Sequence, residues 1–129
     1  MLKPGGRLGI IETDWHGLII NCPDQALTRI MTDAWDSTVA SPNLPPRLIP
    51  LLRKAGFKAV SVRAIPVINS SYNDSGYGAS MIRYMAKNAV KKGFITQQQA
   101  DQWLQEIKSL AKQQSFFFCI NRFLFTGVK

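Results

Sequence analysis

Apolar residues recur along this chain with two different periods, and the alternation between them lays out the expected elements. Arg7 to Glu12 reads as a strand in which Leu8 and Ile10 alternate with Gly9 and Ile11, all apolar or small, which predicts burial on both faces. Pro4-Gly5-Gly6 is the turn that leads into it, and Thr13 to His16 reads as a polar crossing out of it. Leu27, Ile30, Met31, Ala34 and Trp35 then share one helical stripe behind Asp24 as N-cap, predicting a helix over about 24 to 39.

Pro42, Pro45 and Pro46 force a break, and Pro50 is expected in the first turn of a short helix with Leu48, Leu51, Leu52 and Ala55 on its apolar side. Gly56 stops that helix at C′. Phe57 to Ile68 is a β segment, with Pro66 marking an edge strand or a strand end. Asn69 to Gly78 has loop composition. Two helices follow. One carries Ile82, Met85, Ala86, Ala89 and Val90 and ends at Gly93; the other carries Ala100, Trp103, Leu104, Ile107 and Ala111 behind the capping box Thr96–Gln99. Gly93-Phe94-Ile95 joins them as an antiparallel hairpin, and Phe116 to Thr126 is a closing strand. Trp35 and Trp103 lie on apolar stripes and are expected in the core.

The fold class is therefore α/β, in the order strand, helix, short helix, strand, helical hairpin, strand, with a first connection that fits a crossover between parallel strands. A doubly apolar strand at the very start belongs inside an open sheet, yet only Met1 precedes the opening segment Leu2 to Ile11. The chain is expected to be the C-terminal part of a larger domain.

Composition narrows the class. With 129 residues, 46% hydrophobic and 19% charged, the chain can fold. No apolar run approaches the roughly 18 residues of a membrane helix, and no signal peptide opens it, so a cytoplasmic protein without a membrane partner is expected. Cys22 and Cys119 have no C-x-x-C spacing and no neighbouring histidine, so neither a metal site nor a redox motif is signalled. The net charge of +8 is read as collecting late, in Arg83, Lys87, Lys91, Lys92, Lys108 and Lys112 against Asp101 and Glu106. That pattern reads as a solvated helix face, and without interleaved aromatic residues it argues against nucleic acid.

Three segments together carry a family likeness. Leu2-Lys3-Pro4-Gly5-Gly6 precedes a strand with an acidic tip, Leu51-Leu52-Arg53-Lys54-Ala55-Gly56-Phe57 precedes a second, and Phe123-Leu124-Phe125-Thr126-Gly127-Val128-Lys129 closes the chain. In this order and spacing they resemble the C-terminal part of a class I S-adenosylmethionine-dependent methyltransferase. The likeness covers nearly all the chain and is strongest over 2–15, 48–62 and 117–129.

The resemblance implies a Rossmann-like sheet of strand order 3-2-1-4-5-7-6 with strand 7 antiparallel. It assigns Arg7 to Glu12 to strand 5, Lys58 to about Ile65 to strand 6 and about Phe117 to Thr126 to strand 7. Residues 1–129 then form a single partial methyltransferase domain, with the loop and hairpin at 69–115 as an insertion capping the substrate. The family's cofactor contacts come from the turn after strand 1 and the ends of strands 2 and 4, none of which is present, and no G-x-G-x-G occurs. No cofactor-binding residue is therefore assigned, and the chain alone is expected neither to bind S-adenosylmethionine nor to be active.

Strand 5 directs its carboxyl end at the crevice of such a sheet, which makes Glu12, Thr13, Asp14, Trp15 and His16 the residues expected to face a small-molecule substrate. Asp14 and His16 form a candidate catalytic acid/base pair, and Trp15 a stacking surface for the substrate. Tyr77 and Arg83, beside the loop entering the hairpin, complete the substrate-binding candidates, with Tyr72 and Tyr84 nearby. An open strand-5 edge would pair with a second copy of the chain or with a separate N-terminal half. The alternative is a non-catalytic oligomerisation or interaction domain that keeps the scaffold.

Overall fold

The computed structural model describes residues 2–129, so the expectation attached to Met1 lies outside the described residues. The elements are β1 (Arg7–Ile20), α1 (Gln25–Asp36), α2 (Pro45–Lys54), β2 (Lys58–Asn69), α3 (Tyr77–Lys91), α4 (Gln97–Lys112) and β3 (Phe118–Val128). The strands form one sheet in the order β1-β3-β2. Lys129 N–H donates to Gly6 O near the start of β1, while Asn21 N–H donates to Phe117 O beyond its end, so β1 and β3 are antiparallel. Gly127 lies against Phe57 and Lys58, and Phe118 comes beside the Asn69 end of β2 through Gly78, so β2 is also antiparallel to β3. β1 and β2 thus share a direction, as a helical crossover requires, and β2 is an edge strand, as Pro66 demands.

Two compact units divide the chain: residues 1–17, 41–67 and 120–129 in the first, residues 18–40 and 68–119 in the second. In unit 1, α2 covers one sheet face. Leu48, Leu52 and Phe125 are its buried centre, packed by Leu8, Ile10, Ile49, Phe57, Val60 and Phe123. α2 ends in a Schellman motif: Gly56 adopts φ +83°, its N–H bonds Arg53 O, and Phe57 N–H bonds Leu52 O. The Lys129 ammonium adds a bond to Ala55 O and stands 5.1 Å from the centre of the Phe57 ring.

Unit 2 is a three-helix core. α1 and α4 both pack on α3, and α4 also reaches α1 through Trp103. Met31, Ile82, Met85, Trp103, Ile107 and Phe118 are completely or almost completely buried there. Each helix starts and stops as its sequence requires. The Asp24 carboxylate accepts from Leu27 N–H at 2.8 Å, the Thr96–Gln99 capping box forms, and Gly93 closes α3 at φ +76°. Lys92 Nζ donates to Ser37 O and Oγ at 3.0 and 2.9 Å, tying α3 to the end of α1.

The structure corrects the sequence reading in five places. β1 does not stop at Glu12 but runs to Ile20. It is not buried on both faces, because Ile11 is 61% exposed. The first helix ends at Asp36, with Ser37 as its C-cap. Pro50 lies inside α2, because the helix begins at Pro45; it is tolerated on the exposed side, together with Pro46, whose carbonyl a proline four residues on cannot bond. Trp103 is fully buried, but Trp35 is only half-buried, edge-on to Tyr84 at 5.6 Å between ring centres.

Candidate functional site

Asp14, Trp15 and His16 lie in unit 1 on the last stretch of β1 that belongs to it, whereas Tyr77 and Arg83 lie in unit 2 on α3. β1 spends sixteen residues from Gly6 to Asn21 where β3 spends thirteen from Lys129 to Phe117, so β1 carries bulged residues between these ends. A Cβ on Gly17 would stand 2.7 Å from Asp14 Oδ2. Residues three apart point to opposite faces of a regular strand, so a bulge lies between 14 and 17, and Gly17 leaves room for the Asp14 carboxylate.

Around that bulge the outer edge of β1 is partly closed. Thr13 N–H is held by its neighbour Glu12 through Oε1 at 2.9 Å, and Trp15 N–H donates to Pro42 O at 3.1 Å. The edge expected from the sequence to be open is thus occupied at Thr13 and Trp15.

Asp14 lines a cavity of about 270 Å³. Its walls are Pro45, Pro46 and Ile49 from α2, Val62 from β2, and Phe123 and Phe125 from β3, whose rings are tilted at 6.4 Å between centres. Trp15 and His16 are not among the lining residues, and His16 is exposed. The expected Asp14–His16 pair is thus not gathered at this cavity; Asp14 is there without its proposed partner. Sequence reasoning does not find the walls, although each has a local cause. Pro45 and Pro46 occupy N1 and N2 of α2 and so present Ile49 one turn on, while Phe123 and Phe125 share a strand face by the period of two.

Arg83 is engaged within its own unit. Its guanidinium donates to Asp74 O at 2.6 Å and to Ser80 Oγ at 3.3 Å and stands 3.6 Å from the Asp74 carboxylate. Tyr72 O–H donates to the same carboxylate at 3.1 Å; burial first, then Asp74, pushes the phenol's pKa up. Arg83 anchors the loop before α3. Tyr77, at 38% exposure, lies edge-on to Phe118 at 5.9 Å.

Charge is also distributed otherwise than along the sequence. In unit 2 the late lysines are nearly balanced by Asp24, Asp33, Asp36, Asp74, Asp101 and Glu106. The excess is in unit 1, where nine Lys or Arg face only Glu12 and Asp14. Among the described residues no group of His, Cys, Asp and Glu is placed to hold a metal, and no helix is long and apolar enough to cross a membrane.

No protein-family model matches the chain. It is similar to a Streptomyces fradiae protein described as an "uncharacterized 37.1 kDa protein in transposon TN4556", with 30% identity over 111 residues. The match covers 83% of this chain and 31% of that protein, so the chain spans less than a third of the length of this relative.

Proposed function

We propose that this chain is the substrate-side part of a Rossmann-like, S-adenosylmethionine-dependent methyltransferase acting on a small molecule, and that it is inactive alone. The observation that carries the reading is the strand order β1-β3-β2 with the central strand antiparallel to both neighbours. The resemblance drawn from three separate sequence segments implies that order, 5-7-6, for the last three strands. It is an uncommon arrangement for consecutive strands, since the last strand in sequence inserts between the first two.

Two further features support the reading. α2 covers one sheet face, while Ile11 and Ile65, on strands of the same unit, remain 61% and 39% exposed. A doubly wound sheet carries helices on both faces. Asp14, beside the bulge, also presents a carboxylate to an apolar cavity, a suitable place to orient a methyl acceptor or receive its proton.

The residues present do not fit the cofactor by themselves. The cavity offers apolar walls and one carboxylate, with no array of donors and acceptors for a nucleoside and an amino acid. In this reading the cofactor's site belongs to an N-terminal half.

Association tests the reading. A cofactor-binding half from a Rossmann-like methyltransferase, ending before strand 5, is mixed with this chain and followed by light scattering at micromolar concentration. The expected result is a complex, or in its absence a dimer of this chain through the outer edge of β1. A strictly monomeric chain that ignores the added half would overturn it.

A further inference from the structure

We infer that the cavity of unit 1 binds a small organic ammonium ion, with its apolar body against Pro45, Pro46 and Ile49 and its nitrogen between the Asp14 carboxylate and the rings of Phe123 and Phe125. The argument starts from what Asp14 lacks. Among the described residues no donor or cation stands within hydrogen-bond or ion-pair reach of its half-buried carboxylate. Unit 1 holds nine lysines and arginines, yet none pairs with Asp14. A carboxylate at the wall of an apolar cavity offers an entering cation a charge-assisted hydrogen bond, which is stronger than one between neutral groups.

The walls fit such a guest. Aromatic faces attract an ammonium through their quadrupole, and aliphatic rings and branches bury its carbon skeleton. An anion would meet Asp14 at close range. The volume of about 270 Å³ lies just below the range of pockets for drug-sized molecules, which sets the guest at one ring or a short branched chain bearing one nitrogen. This inference rests on the proposed methyl-transfer reading only in taking the guest to be the acceptor. Binding of the guest by the chain requires neither cofactor nor partner.

The test compares three probes of one shape, 2-phenylethylammonium, 2-phenylethanol and phenylacetate, titrated into the full chain at pH 7 and followed by NMR of the Ile49 and Val62 methyl groups. The expected result is saturable binding of the ammonium ion, about tenfold or more tighter than the alcohol, with phenylacetate weakest. Asp14→Asn should abolish the preference for the amine while leaving the fold unchanged by circular dichroism, and Asp14→Glu should retain it. Equal binding of all three probes, no binding of the amine, or an amine preference that survives Asp14→Asn would each overturn the inference. Amine binding that persists where no methyl transfer is found with any added half would sink the methyltransferase reading and leave this one standing.

Discussion

Trp103 and Thr28 form the polar joint of unit 2, and breaking it has a calculable cost. The indole Nε1–H, fully buried on α4, donates to Thr28 Oγ1 on α1 at 2.9 Å, and the same hydroxyl donates to Asp24 O at 2.8 Å. Thr28→Val keeps the side-chain shape and removes the acceptor. The indole N–H is then left buried without a partner, which costs about 1–3 kcal/mol. Taking about 2 kcal/mol, and roughly 4 °C of melting midpoint per kcal/mol at this chain length, the midpoint should fall by about 8 °C. Trp103→Phe will destabilise for its own reason, the lost ring volume. In that background, however, no buried donor is orphaned, so adding Thr28→Val should cost less than about 0.5 kcal/mol. A double-mutant cycle in urea at 25 °C measures the difference. If Thr28→Val costs as much in the Trp103→Phe background as it does alone, the hydrogen bond does not join these helices as described.

Three other perturbations follow from the geometry. A Cβ on Gly78 would stand 2.7 Å from Asn69 Oδ1, which caps Gly78 N–H, and 2.9 Å from the buried Phe118 ring, so Gly78→Ala should destabilise by about 1–3 kcal/mol in urea. Gln114 ends α4 with φ +56° and the two closing bonds of a Schellman motif, Gln114 N–H to Ala111 O and Ser115 N–H to Leu110 O; Gln114→Gly should raise stability by about 1 kcal/mol, read from the same urea transitions. Burial, and to a smaller degree Glu106 at 3.5 Å, pushes the Cys22 thiol's pKa up, outweighing the lowering effect of hydrogen bonds from Asp24 and Thr28. The folded chain then holds that proton more tightly than the unfolded one. Its contribution is complete below the ordinary thiol pKa of about 8.5 and is lost as pH rises through the raised value, so the melting midpoint should decline above about pH 8.5 more steeply than in Cys22→Ala.

Much of unit 2 is legible in the sequence because its information is local. Asp24, Thr96–Gln99 and Gly93 mark helix ends through their own backbone chemistry, as Gly56 does in unit 1, and the stripes through Met31, Met85 and Trp103 follow the 3.6-residue period. β1 is harder to read. Thr13 to His16 are polar enough for a loop, yet they remain extended because they lie at a bulged edge where the N–H groups of Thr13 and Trp15 find Glu12 and Pro42. Ile11 has the pattern of a core residue because periodicity reports only that a face is apolar, not that anything covers it.

The site is legible in part. Asp14 is marked by its place at the end of an apolar strand, and it does line a cavity. Its walls are not marked, since Pro45, Val62 and Phe123 come together only through the sheet order. The hold of Arg83 on Asp74 is not marked either, because a cation beside a loop has the same sequence context whether or not it anchors that loop. The charge pattern misleads for a related reason: the units interleave along the chain, so a run of lysines in sequence is not an excess in space.

Whether this chain is the substrate-side part of a methyltransferase is decided by calorimetric titration with S-adenosylmethionine, made on the chain alone and on the chain fused behind the cofactor-binding half of a Rossmann-like methyltransferase. The expected outcome is no saturable heat for the chain alone and saturable binding for the folded fusion. Saturable binding by the chain alone, or a folded fusion that binds nothing, would contradict it.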